Sequence, residues 1–239
     1  MLAIFPKNNT IVDAGIIRSF RNLASCGMTP PGSKPGHSDG WGILSWLNGT
    51  PNYLGREPTD ASTDPRYEDA CNGIEKASTS SPLIAHLRKA SVGLKIRENT
   101  HPFVFEEWSF AHNGTIRKLN MKTTTDSQWF FESLMSEYGL GRDMPGAITK
   151  LVKHVHDTYD YTSITFVLSN GRAMYIYRDC RKSPKYYGMF FTEKDNQFVA
   201  SQEKFFDSDW TELRNGELLI RENDRTRIMK ISEPLLLNA

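Results

Sequence analysis

The chain has 239 residues, 38% hydrophobic and 24% charged, with a formal net charge of +1. So nearly neutral a chain has no global field to draw nucleic acid or an acidic membrane surface, and neither partner is expected. No stretch approaches the ~20 apolar residues of a membrane span. The three cysteines, Cys26, Cys71 and Cys180, are too few and too scattered for a disulfide framework or a CxxC zinc site.

Met1 to Thr10 lacks the basic head and long apolar core of a secretory signal. With unpaired cysteines, this points to a reducing, cytoplasmic setting. Met1 to Phe5 reads as a buried strand. Thr10-Ile-Val-Asp13 resembles a capping box, and Ile16, Ile17, Phe20 and Leu23 recur behind it at helical spacing. Gly27 is the expected C-cap, and the Pro/Gly-rich stretch from Thr29 to Gly36 a loop. Gly40 to Leu47 reads as a strand running into an Asn48-Gly49 hairpin turn.

A helix is predicted over Arg66 to Lys76, then strands at Leu83 to Leu87 and Trp108 to His112. Thr125 and Gln128 form a second capping box, opening a helix that holds Trp129, Phe130 and Leu134. Another helix covers Pro145 to Tyr159. The rest is strand-rich: a hairpin of Ser163–Leu168 and Ala173–Arg178, a pair around Phe190–Phe191 and Phe198–Val199, and a pair at Glu217–Arg221 and Arg227–Ile231. Helices and strands come in runs instead of strict alternation, so the expectation is α+β with mostly antiparallel sheets, in one domain over 1–239.

Four clusters stand out: His37-Ser38-Asp39-Gly40-Trp41-Gly42, Ala85-His86-Leu87-Arg88-Lys89-Ala90-Ser91, Glu98-Asn99-Thr100-His101-Pro102-Phe103 and Ala111-His112-Asn113-Gly114-Thr115. Taken singly, each has a plain reading. Asn113-Gly114 is a turn, Arg88 a surface charge, Pro102 a bend, and His86 and His112 satisfied core histidines. His154 and His156, two apart on a helix, face different ways and make no metal pair.

Taken in order, the clusters resemble the glutamine amidotransferase domain of class II, among the N-terminal-nucleophile hydrolases. The nearest group is the standalone type with a His-x-Asp-Gly-Trp-Gly segment. Thr125-Asp126-Ser127 and Ala200-Ser201-Gln202-Glu203 extend the likeness over nearly the whole chain. The resemblance implies a four-layer αββα sandwich of two mostly antiparallel sheets between helices. It implies hydrolysis of the side-chain amide of glutamine, or of a related γ-glutamyl compound, through a γ-glutamyl thioester. Asn113 and Gly114 would form the oxyanion hole, where one donor is typically worth ~3–4 kcal/mol. Arg88 would clamp the substrate α-carboxylate and Asp126 its α-ammonium. Thr100 and His101 would shape the pocket wall, with His37, Asp39 and Trp41 in the surroundings. No metal and no cofactor is implied. A separate synthase or peptidase subunit is an expected partner.

The family's nucleophile is a cysteine at the mature N-terminus, with its own α-amine as base; such an amine titrates near ~7.7–8.0. Cys26, Cys71 and Cys180 are internal and read as structural. Met1-Leu2-Ala3 is similar to the second part of the family's usual opening, Met-Cys-Arg-(Met or Leu)-Leu-Ala. The expectation is therefore a natural protein with its cysteine just ahead of Met1. The alternative is a catalytically dead binding protein or regulatory subunit that keeps the pocket.

Overall fold

The computed structural model describes residues 1–77, 80–91, 93–119, 125–222 and 224–231. β1 (Leu2–Pro6) is buried along its length. α1 (Ala14–Arg21) follows, capped by Asp13, whose carboxylate accepts from Gly15 N–H at 2.7 Å. This corrects the capping box expected at Thr10: Asp13 already satisfies the first-turn donor, and residues 10–13 lie outside the helix. The helical run breaks at Asn22 before the short α2 (Leu23–Cys26), which ends at Gly27.

β2 (Trp41–Leu47) and β3 (Thr50–Glu57) meet at Asn48 and Gly49, both at positive φ (52° and 80°), as a primed hairpin turn requires. Then come α3 (Pro65–Ala77), β4 (Leu83–Leu87), β5 (Phe103–Phe105) and β6 (Trp108–Ile116). β6 runs four residues past the expected strand, so Asn113 and Gly114 are no turn; they pair with Thr165 and Ile164. α4 (Asp126–Gly141) opens on the expected capping box, with Thr125 and Gln128 each bonding the other's backbone. α5 (Met144–Thr158), β7 (Tyr161–Ser169), β8 (Ala173–Arg178), β9 (Phe190–Lys194), β10 (Gln197–Ser201), β11 (Thr211–Glu212), β12 (Glu217–Glu222) and β13 (Arg225–Lys230) complete the described elements.

The strands form two antiparallel sheets: β11-β9-β10-β1-β4-β2-β3 and β13-β12-β8-β7-β6-β5. Side chains alternate across each strand, and this sorts the core into three layers. Leu2 and Ile4 of β1 face α1 and α3, packing with Ile16, Phe20, Tyr67 and Ile74. Ala3 and Phe5 face the other sheet, meeting Val167, Ile176 and Leu219. Behind that sheet, Phe110 and Phe166 pack on Phe130, Leu134, Ile148 and Val152 of α4 and α5. The order is helices, sheet, sheet, helices. Among the described residues, no helix is long and apolar enough to cross a membrane.

Candidate active site

A polar cavity opens where the ends of β1, β4, β6 and β10 meet the N-terminus of α4. β1 lies between β10 and β4, with Leu2 opposite both Ser201 and Ala85. Met1 is thereby carried to the cavity, beside His86 and Gln202. Its carbonyl accepts from Gln202 N–H at 3.2 Å, and its amine donates to Gln202 Oε1 at 3.3 Å. Burial pushes this amine down to about 5, against an opposing pull from Glu203.

Asn113 and Gly114 line the cavity from β6. The β6–β7 register shifts between Gly114 and Ile116, so the ladder is broken at this point. A Cβ on Gly114 would collide with the Ser163 carbonyl, so only glycine lets the two backbones approach here. Asn113 Nδ2 donates to Gln202 Oε1 at 3.1 Å. One side-chain oxygen thus holds both the Met1 amine and the Asn113 amide.

Arg88 follows β4 and is 4% exposed. Its backbone is clamped by Gly40 O and Asp39 N at 2.7 and 2.9 Å, and its Nη1 donates to Leu94 O at 3.1 Å. Burial draws its pKa down while Asp39 opposes the shift. Asp126 is the first residue of α4, buried, with Oδ2 accepting from Ile116 N–H at 2.8 Å. The positive end of the helix favours its carboxylate. A buried cation and a buried anion therefore line one cavity, the arrangement an α-amino acid needs.

The remaining expected residues divide. His37 and His101 line the cavity; Asp39, Trp41 and Thr100 do not. Asp39 holds the loop after β4, accepting from Ala90 N–H at 2.9 Å and pairing with Lys95 at 2.5 Å. Trp41 is fully buried and donates to Asp64 Oδ2 at 3.1 Å. Thr100 is also fully buried, its hydroxyl donating to Ile96 O. These residues act from behind. A Cβ on Gly42 would meet the His101 carbonyl, so the Gly-Trp-Gly segment is what lets the His101 backbone lie against β2.

The plain reading holds for His112 and fails for His86. His112 is satisfied: its Nδ1 lies 2.9 Å from Ser127 Oγ and its Nε2 3.2 Å from Ser163 O. Only Nε2 can be the donor to that carbonyl, which assigns a neutral ring accepting at Nδ1. His86 and His101 are not satisfied. Nδ1 of His86 and both ring nitrogens of His101 are buried without a partner among the described residues, the rings 4.6 Å apart. Burial lowers the pKa of both, and they face the cavity as neutral rings.

Sequence reasoning assigned no role to Gln202, Glu203 or Tyr186, all of which line the cavity. Burial alone would raise Glu203, but bonds from His37 and Met28 N–H hold it below the usual carboxylate range. His37 also stacks on Tyr186, with ring centroids 6.4 Å apart. The signal was a polar triplet, Ser201-Gln202-Glu203, directly after the apolar run of β10. No cysteine lines the cavity. Cys26 is exposed, and burial pushes the Cys71 and Cys180 thiols up to about 11. Among the described residues, no cluster of three or more His, Cys, Asp or Glu could hold a metal ion.

The family profile of class II glutamine amidotransferases matches residues 8–187. A Haemophilus influenzae protein described as a candidate glutamine amidotransferase is 35% identical over 160 residues, covering 58% of this chain and 51% of its own. The Escherichia coli protein YafJ, described in the same way, is 27% identical over 70% of this chain and 69% of its own. A Methanocaldococcus jannaschii protein is 26% identical, and the chain spans 62% of its length. Among solved structures, a glutamine aminotransferase class-II domain protein from Silicibacter pomeroyi superposes with a TM-score of 0.62 at 20% identity, over 80% of this chain and 90% of that one. The Bacillus subtilis glutamine phosphoribosylpyrophosphate amidotransferase superposes with a TM-score of 0.64 at 15% identity, over 98% of this chain and 49% of that one. These two share the fold. With the profile spanning all four motif clusters and the site around them assembled in space, the chain belongs to the class II glutamine amidotransferases.

Proposed function

We propose that the cavity binds glutamine or a γ-glutamyl compound and that the protein hydrolyses its γ-amide to glutamate and the free amine. The observation that carries this reading is the lining itself: Arg88, Asp126, Asn113 and Gly114 share one buried polar cavity with the start of β1. Arg88 holds the α-carboxylate and Asp126 the α-ammonium. The γ-carbonyl then sits toward Asn113 and Gly114, whose donors stabilise the oxyanion that forms on attack. The nucleophile in this reading is a cysteine thiol just ahead of Met1, with its α-amine as base. Met1 lines the cavity at the start of β1, which supports a cysteine joined ahead of it lying at this place.

Calorimetric titration with L-glutamine and L-glutamate tests the pocket. Arg88→Ala and Asp126→Ala should each weaken binding about 10- to 100-fold, the cost of losing a charge-assisted contact. Unchanged affinity in both variants rules the pocket assignment out. A chain extended to begin with cysteine should release ammonia from glutamine or an amine from a γ-glutamyl dipeptide. If it binds glutamate and cleaves neither, the second reading holds. That reading is a γ-glutamyl-binding protein without catalysis.

A further inference from the structure

A second cavity, of about 500 Å³, begins where the first ends, and Gln202 and Glu203 line both. This size suits a small-molecule ligand. Its wall is apolar at Met28 and Phe190 and basic at Lys185 and Lys204. Its two carboxylates are already engaged: Glu212 pairs with Arg178 at 2.5 Å, and Glu203 is held by His37 and the Met28 N–H. Lys185 and Lys204 have no ion-pair partner among the described residues. The Lys204 ammonium lies 4.9 Å from the Phe190 ring centroid. At the junction, Gln202 Nε2 is a buried donor without an acceptor.

The order of groups gives a direction. In the reading proposed above, Arg88 and Asp126 pin the glutamyl head, and the γ-carbonyl lies at Asn113. Asn113 bonds Gln202, and beyond Gln202 lies the second cavity. The amide nitrogen of glutamine ends at the junction. The leaving group of a larger γ-glutamyl amide continues past it. There the wall offers an anion, Glu203, an apolar face at Met28 and Phe190, and two cations, Lys185 and Lys204. An amino acid presents the matching set: an amine, a side chain and a carboxylate.

We infer that the second cavity is a leaving-group subsite for γ-glutamyl amino acids or peptides with an apolar residue and a free carboxylate. Hydrolysis would add water across the γ-amide bond. The hydroxyl goes to the glutamyl carbonyl carbon and the proton to the departing nitrogen; the new carboxyl group ionises, and its proton makes the released amine an ammonium beside Glu203. The inference rests on the proposed reading of the first cavity, and the experiment separates the two.

The purified chain is titrated calorimetrically with L-glutamine, γ-L-glutamyl-L-phenylalanine and the C-terminal amide of that dipeptide. The dipeptide should bind about tenfold tighter than glutamine, the worth of one charge-assisted contact. Its amide should lose that advantage. So should the Lys185→Ala/Lys204→Ala variant, with its affinity for glutamine unchanged. A dipeptide that binds no tighter than glutamine overturns the subsite, as does an advantage that survives in the lysine variant. Failure of all three ligands to bind the wild-type chain overturns the first cavity as well.

Discussion

A methyl group at position 114 has nowhere to go, because the Ser163 carbonyl occupies its place. Gly114→Ala should destabilise the protein by about 1–3 kcal/mol, read from denaturant unfolding, and should also abolish glutamine binding. Loss of binding with unaltered stability would show that the backbone approach is looser than described. The same residue shows what a sequence conceals. Asn-Gly reads locally as a turn, yet here it is strand, because the partner that forces it extended is β7, some fifty residues on. Gln202 is similar. Nothing near it in sequence tells that its oxygen holds Asn113 and Met1 together, since those groups lie 89 and 201 residues away along the chain. Arg88 and Asp126 were legible only through the motif order. The burial that sets them apart from surface charges comes from the fold.

Elements were easier to read than contacts. The Thr125–Gln128 box marked the start of α4 because capping is a local transaction, complete within four residues. It also aims Asp126, the first helical residue, into the cavity. Thr125→Ala should cost about 1 kcal/mol of stability and weaken glutamine binding, both measurable on one purified variant. A stability loss without an affinity loss would mean that the Ile116 N–H alone fixes Asp126. The similar signal at Thr10 misled because Asp13, itself a strong cap, sits closer to the helix. The strands were visible as apolar runs between turn residues. Their faces were not: every residue from Leu2 to Phe5 is apolar, so period-two sorting toward helix or sheet left no mark.

The molecule as a whole carries a pH dependence set by its buried bases. His86, His101 and His112 all have pKa values lowered by burial. Well above the ordinary imidazole range they are neutral in both states and add no slope. As pH falls, the unfolded chain takes up protons at imidazoles near ~6.5. The folded chain refuses them. More protons on the unfolded state means that stability is lost as pH drops through about 7 toward 5. Each unit of depression is worth about 1.4 kcal/mol. The melting temperature should fall across this window, and less steeply in His86→Asn, which cannot titrate. An equal slope in that variant would mean that His86 is not held neutral. The antiparallel, α+β character of the molecule was legible in the runs of strands. The stacking into four layers came from family resemblance, because which surfaces meet is decided by contacts far apart in sequence.

A strand on the edge of a sheet is held along one side only. β1 is instead laced on both sides, by β10 and by β4, in the middle of a seven-stranded sheet. A group carried to the cavity on a loose segment would have to be gathered into place each time a ligand arrived, at an entropic cost charged against binding. Here that freedom is surrendered once, when the sheet forms. Whatever β1 carries to the cavity is then as rigidly placed as a side chain in the core.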